Sequence, residues 1–324
     1  MSVEVQTKKR MLFMAGRSNP ELAGEIADLL GTGLAEVEIA DFANGEIYVR
    51  ASENLRGADV FVFQTHATPI NDNILEQLIM IDACRRASAK RITAVVPFYG
   101  YARQDRKSRG REPITARLIA DMLTAAGADR VLSVDLHADQ IQGFFNKPFD
   151  HLTALPLLAN HIQQRFGSDC VIVTPDAGRI RVAEKFSSRL GAGLAILHKR
   201  RRTDVRNQAE TALEVIGDVE GRRCILVDDM IDTAGTLTGA AKVLAEFGAS
   251  EVYAAATHPI LSDPAIDRIK NSVIVETIVT NTLPIPSEKL LPNMTVLSIA
   301  PVVADTIRAV FTEQSVSEIF DGEN

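Results

Sequence analysis

Seven short β-rich runs alternate along this chain with stretches whose apolar residues recur at helical spacing, and this alternation limits the open folds more than any other feature. The runs are Val60–Phe63, Ile92–Val96, Arg130–Val134, Val171–Val173, Ala195–Leu197, Cys224–Val227 and Val252–Ala255. Leu118, Ile119, Met122, Leu123 and Ala126 form one helical stripe; Leu237, Ala241, Leu244 and Phe247 form another. Gly127 and Gly248 follow these stripes as helix stops. Strands that are apolar throughout have no face for water, so both faces of their sheet must be covered. Amphipathic helices between them supply that cover and the crossover that parallel pairing needs. The pattern predicts an α/β fold built on mainly parallel sheets flanked by helices.

Within the alternation lies a repeat. "GADRVLSVDLH" (127–137) and "GASEVYAAATH" (248–258) agree in Gly, Ala, Val and a His ten residues after the Gly. The strands before them end at "VVPF" (95–98) and "LVDD" (226–229), and the helices begin near Thr115 and Thr236. The first copy is ten residues longer between strand and helix, and the surplus holds the basic segment "RQDRKSRGR" (103–111). Two copies of one unit predict two domains, 1–150 and 151–305, with a C-terminal helix or tail, 306–324, packing back on the first. A length of 324 residues suits two domains.

Net charge is −7, which argues against a general nucleic-acid binder, so any anionic ligand must be held by local positive clusters. Two exist, 103–111 and "KRRRTDVRN" (199–207), each after a strand-like run. No apolar run approaches the roughly 20 residues of a membrane span, and the N-terminus has no signal-peptide core. Cys84, Cys170 and Cys224 are scattered, odd in number and set in apolar surroundings, which predicts buried free thiols and a reducing, cytoplasmic setting.

The most chemically pointed stretch is "VDDMIDTAGT" (227–236). Adjacent carboxylates repel unless something offsets them, and in open parallel sheets ligands sit beyond the carboxyl ends of the strands. Asp228 and Asp229 can accept hydrogen bonds from sugar hydroxyls or help to hold a divalent cation. Thr233, Ala234, Gly235 and Thr236 then offer amide and hydroxyl groups at a helix start, where a phosphate is favoured. Together they make a cradle for a pentose phosphate; an acidic turn with a capping Thr is the plainer alternative.

This stretch resembles the phosphoribosyl-diphosphate loop of type I phosphoribosyltransferases. "VPFYGYARQDRK" (96–107) and "DLHADQIQGFFNKPFDHL" (135–152) resemble signatures of the ribose-phosphate diphosphokinases, class I phosphate-regulated type, along nearly the whole chain. The resemblance implies two tandem type I phosphoribosyltransferase-like domains. It also implies transfer of the diphosphoryl group of ATP to the 1-hydroxyl of ribose 5-phosphate, giving phosphoribosyl diphosphate and AMP for nucleotide, histidine and tryptophan biosynthesis. By the same resemblance, Asp228, Asp229, Asp232, Thr233, Ala234, Gly235 and Thr236 bind ribose 5-phosphate. Asp176, Ala177 and Gly178 form the diphosphate loop, and Phe42, Asn44, Glu46, Arg103, Gln104 and His137 bind ATP. His137 and Asp176 face Mg2+, Lys199 and Arg201 are catalytic on a mobile loop, and Phe42 to Glu46 reach across from a neighbouring subunit. Arg109, Ser315 and Ser317 fit an effector site for inorganic phosphate and ADP in a homo-oligomer, a dimer-built hexamer. His258, the repeat partner of His137, reads as structural.

Three departures from the family pattern stand out: Asn44 where Asp is common, Arg179 in place of a Gly that lets the diphosphate loop close, and an altered length after Arg202. The resemblance leaves two rivals, a non-catalytic subunit associated with the synthase and an RNA-binding regulator. Lys199 and Arg201 speak against the first, and the net charge against the second.

Overall fold

A computed structural model describes residues 9–175, 177–201 and 211–317; the side chains of Ala177, Lys199, Arg200, Arg201, Thr211, Ala212 and Leu213 also lie outside the description. The chain divides into two compact units, one running through Thr153 with Thr282–Pro284 and the segment from Ile299, the other made of Ala154–Asn281 and Ile285–Ser298.

The first unit contains β1 (Met11–Ala15), α1 (Pro20–Leu30), β2 (Val37–Asp41), β3 (Ile47–Ala51), β4 (Asp59–Phe63), α2 (Ile70–Arg86), β5 (Arg91–Val96), α3 (Thr115–Ala126), β6 (Arg130–Val134) and β7 (Phe149–Leu152). Five strands form a parallel sheet in the order β1-β4-β5-β6-β7, while β2 and β3 pair apart as an antiparallel hairpin. Every residue of β4 is buried, as expected of a strand covered on both faces. Asn19 caps α1 by accepting from Leu22 N at 3.2 Å, and Pro20 pre-sets the first turn. Helix α3 buries Ile119 and Leu123 of its stripe and ends at Gly127, whose φ of 122° an L side chain rarely adopts. A Cβ there would also lie 2.7 Å from Arg85 Cδ.

The second unit contains α4 (Leu155–Phe166), β8 (Val171–Thr174), α5 (Ile180–Leu190), β9 (Gly193–Arg201), β10 (Thr211–Ile216), β11 (Arg223–Ile231), α6 (Gly235–Glu246), β12 (Glu251–Pro259), α7 (Ala265–Lys270), β13 (Ile274–Thr280) and β14 (Met294–Leu297). Its sheet runs β10-β9-β8-β11-β12-β13-β14 and is parallel except where β10 meets β9. Leu237, Ala241 and Leu244 of α6 share a core cluster with Leu226 and Ala254 of the sheet, but Phe247, the last residue of the predicted stripe, falls just past the helix and is exposed. The last helix, α8 (Ala300–Thr312), belongs to the first unit and packs on α1, where Arg308 Nη2 donates to Leu29 O at 2.8 Å.

All seven strand-like runs are strands, and both stripes are helices on parallel crossovers: β5–α3–β6 and β11–α6–β12. Three expectations change in detail. The run expected to end at Val227 continues to Ile231, because Asp228, Met230 and Ile231 keep pairing with β12. The segment expected to leave β9 as a loop at Lys199 remains strand through Arg201, paired in register with Thr211–Leu213 of β10. Strands β1, β2, β3, β7, β10, β13 and β14 were not among the expected ones. All three cysteines are buried free thiols, and burial pushes Cys84 up to about 12 and Cys224 up to about 11. Among the described residues no helix is long and apolar enough to cross a membrane.

Candidate active site

In the second unit the ladder between β8 and β11 covers only Cys224–Leu226, whereas that with β12 runs on to Ile231. Asp228 and Asp229 therefore sit on the strand but past its β8 neighbour, at the carboxyl edge of the sheet. Asp229 is buried and Asp228 half-buried. Asp229 N donates to Asp228 Oδ1 at 2.8 Å. Arg179, in the turn after β8, reaches both: Nη2 lies 2.5 Å from Asp229 Oδ2 and Nε 3.8 Å from Asp228 Oδ1.

Burial, and then the neighbouring carboxylate of Asp229, push the Asp228 carboxyl upward; the Asp229 amide and the Arg179 guanidinium work the other way. A paired, desolvated carboxylate with one cation beside it is a site prepared for hydroxyl or cation ligands. Arg179 had shown in the sequence only as an oddity replacing Gly. The signal that could have found it is topological: β8 and β11 are neighbours, so their loops meet.

Three residues past β11 the chain turns through Ala234 at φ 57° and enters α6 at Gly235. That left-handed step, unusual outside Gly, turns the first helical amides away from the strand. Arg268 Nη1 donates to Thr233 O at 2.9 Å, and a Cβ on Gly235 would lie 3.1 Å from the same nitrogen. Thr233, Gly235 and Thr236 are exposed, Asp232 half-buried. The structure thus brings Asp228, Asp229, Asp232 and residues 233–236 into one acidic-then-amide loop.

In the first unit the candidates occupy three places. The hairpin tip exposes Phe42, whose ring meets Tyr48 edge-on at 6.1 Å. Asn44 Oδ1 accepts from Glu46 N at 3.2 Å, so the amide nitrogen is the group Asn44 can offer outward. Arg103 and Gln104 are exposed in the segment after β5, with Gln104 Oε1 accepting from Thr115 Oγ1 at 2.6 Å. His137 is half-buried beyond β6; its loop is held where Leu136 N donates to His151 Nε2 at 2.8 Å. Gln140 Nε2 donates to Asp105, joining the His137 loop to the basic segment.

Beneath that segment lies His66. Its Nδ1 accepts from Gly100 N and its Nε2 donates to Gln77 Oε1, both at 3.0 Å. Burial lowers this imidazole to about 4, so it stays neutral at pH 7. Arg109 is exposed, and its amide, with that of Ser108, donates to Glu112 Oε2 at 2.9 and 2.8 Å. Ser315 and Ser317 are exposed beyond α8. Asp176 and the side chains of Ala177, Lys199 and Arg201 lie outside the described residues; Gly178 is in the short turn before α5.

A parallel α/β unit with a carboxylate pair and a helix N-terminus at its sheet edge, joined in one chain to a second α/β unit bearing a basic loop, defines an enzyme class that handles phosphorylated sugars or nucleotides. Residues 11–127 match the N-terminal domain of ribose phosphate pyrophosphokinase, and residues 204–321 match the phosphoribosyl synthetase-associated domain. A ribose-phosphate pyrophosphokinase of Streptomyces coelicolor is 58% identical over 320 residues, 98% of each chain. One from Mycobacterium tuberculosis strain H37Rv is 54% identical over 318 residues, 98% of this chain and 97% of the other. A crystal structure of phosphoribosylpyrophosphate synthetase from Mycobacterium smegmatis superposes with a TM-score of 0.89 at 54% identity, covering 94% of this chain and all of that one. The chain belongs to the ribose-phosphate pyrophosphokinase family. Nothing in these likenesses favours the non-catalytic alternative.

Proposed function

We propose that the chain transfers the diphosphoryl group of ATP to the 1-hydroxyl of ribose 5-phosphate, forming 5-phosphoribosyl 1-diphosphate and AMP. The observation that carries this reading is the acidic-then-amide loop at the end of β11, in a chain 58% identical to a ribose-phosphate pyrophosphokinase. Asp228 and Asp229 accept hydrogen bonds from the ribose hydroxyls, with Asp232 at the loop's flank, while the amides and hydroxyls of residues 233–236 take the 5-phosphate. Phe42 offers a ring for the purine, and Arg103, Gln104 and His137 hold the nucleotide. Gly178 and its neighbours Asp176 and Ala177 receive the diphosphate.

Magnesium suits this arrangement. It keeps several waters and takes one or two protein ligands plus substrate phosphates, so a full protein cage is not required. His137 and Asp176 are the residues that would hold it, and when bound it neutralises phosphate charge. Lys199 and Arg201 contribute where negative charge grows as AMP departs. Holding the 1-hydroxyl in line with the β-phosphorus meets much of the remaining barrier. The carboxylates orient the sugar in this scheme; no side chain is assigned as general base.

The proposal includes a homo-oligomer, a dimer-built hexamer, activated by phosphate and inhibited by ADP through Arg109, Ser315 and Ser317. Support comes from the paired Ser108 and Arg109 amides, which already hold a carboxylate and so suit an anion. A coupled assay for AMP release with ATP, magnesium and ribose 5-phosphate tests the activity; a chain that binds both substrates without releasing AMP would overturn it. Light scattering and phosphate titration test the assembly; a monomer indifferent to phosphate would remove that part.

A further inference from the structure

The loop leaving β1 is built around a two-armed guanidinium. Gly16 packs so closely that a Cβ would lie 2.5 Å from Gln64 Oε1 and 2.6 Å from Glu76 Oε1. Glu76, buried on α2, accepts from Arg17 N at 2.7 Å, from Arg17 Nε at 2.6 Å and from Gln64 Nε2 at 2.8 Å. These bonds fix the plane of the Arg17 guanidinium. Its outer edge donates through Nη1 and Nη2 to the two carboxylate oxygens of Asp41, each at 2.8 Å. Paired N–H···O bonds of this kind set orientation as well as distance.

Asp41 is the last residue of β2, and Phe42 follows it. At the hairpin's base Val37, Ile39, Val49 and Ala51 pack on the core of the unit, whereas Asp41, next to the tip, is exposed. Residues of β2 and β3 are half-buried or exposed, and β3 rests on α2. A two-stranded ribbon is marginal by itself. A rigid fork anchored on a buried carboxylate therefore holds the end of β2 from which the exposed tip springs, beyond the residues packed on the core.

We infer that Arg17 is a positioning residue for nucleotide recognition, acting through Asp41 on the tip that carries Phe42, Asn44 and Glu46. The inference rests on the reading of that tip as purine-binding. Arg17 touches no substrate in this scheme. The Arg17–Asp41 pair is half-exposed, so removing Asp41 leaves the fold intact and shifts the tip, whereas removing Arg17 also strips the buried Glu76 of its cation.

The test uses the full chain with ATP and ribose 5-phosphate varied separately. Asp41→Asn, and Arg17→Ala made together with Glu76→Gln so that no buried carboxylate is stranded, should each raise KM for ATP about tenfold while KM for ribose 5-phosphate and kcat stay within about twofold. Combining the two should be no worse than the worse of them alone, because both remove the same contact. Arg17→Lys should fall between, since an ammonium cannot bridge both carboxylates in plane. Unchanged KM for ATP in both variants, or a joint loss across both substrates and kcat, overturns the inference. Phe42→Ala run alongside separates the two readings. If it raises KM for ATP while the Arg17 and Asp41 variants are silent, only the positioning role fails; if all are silent, the assignment of the tip fails with it.

Discussion

The two strand–loop–helix–strand copies show how one framework serves opposite charges. In the second unit β11 overshoots its β8 neighbour, carries Asp228 and Asp229 on the strand, and passes into α6 within a few residues. In the first, β5 stops at Val96, Pro97 and Phe98 stand where the carboxylates would be, and a long basic segment intervenes before α3. The short loop leaves a helix N-terminus beside a carboxylate pair. The long one is held at its two ends by neutral bonds, His66 to Gly100, Tyr99 to Ala116 O at 3.0 Å and Gln104 to Thr115, and between them by the carboxylates of Asp105 and Glu112. The repeated His diverges in step. His258 is buried within β12, pairing across from Met230, whereas His137 lies half-exposed beyond β6. Loop length and local burial, more than the shared framework, decide what each copy can bind.

The sharpest way to break this contrast is at Lys199 and Arg201, the cations that the reading sets against the growing charge. Alanine at either should lower kcat by about 10³-fold or more, with both substrate affinities within about tenfold, because a group acting in the transition state is missed there. Near-normal turnover in an active enzyme would refute their role. Next in size, Asp228→Ala and Asp229→Ala should weaken ribose 5-phosphate binding by roughly 10- to 100-fold each, the worth of a charge-assisted hydrogen bond, while ATP binding changes little. Calorimetric titration decides this; equal losses for both ligands would erase the division of labour between the copies.

A third contrast is in pH. An unfolded His takes up a proton near 6.5, but folded His66 does so only near 4, so the unfolded state binds more protons between these values. Stability of the first unit should fall as pH drops from about 6.5 to about 4, by on the order of 3 kcal/mol at most. Asp228 has the opposite sign. Its carboxyl is raised, the folded state holds the proton longer, and stability around β11 should fall as pH rises above about 4. Hydrogen exchange of the β4–β5 and β11–β12 amides at several pH values reads the two slopes separately. His66→Gln should flatten the first and Asp228→Asn the second; slopes of one sign would end the contrast.

Much of this was legible in the sequence. Strands buried on both faces announce themselves as apolar runs, and the stripes of α3 and α6 needed only their Gly stops. The hairpin did not stand out, because "VEIAD" and "IYVRA" alternate over only five residues and turn just one face, Val37, Ile39, Val49 and Ala51, to the core. β13 hides Glu276 and the buried Thr277 and Thr280 in its span, and β14 has four residues. The carboxylates looked like the end of a strand, yet pairing with β12 carried the backbone past them. Likewise Lys199–Arg201 read as loop until an antiparallel partner extended the strand. The Arg179 contacts depend on which strands lie side by side, which local pattern does not encode.

The packing of α8 on α1 bears on how the molecule comes into being. Arg308 and Leu29 are 279 residues apart in the chain, so the first unit acquires α8 only after the second unit has been translated. At about 5–20 residues per second the earlier part waits roughly 15–60 s with α1 lacking that neighbour. During that interval the apolar side of α1 is a surface for chaperones to guard. The piece that closes the opening domain is made only after the whole second unit has left the ribosome's active centre.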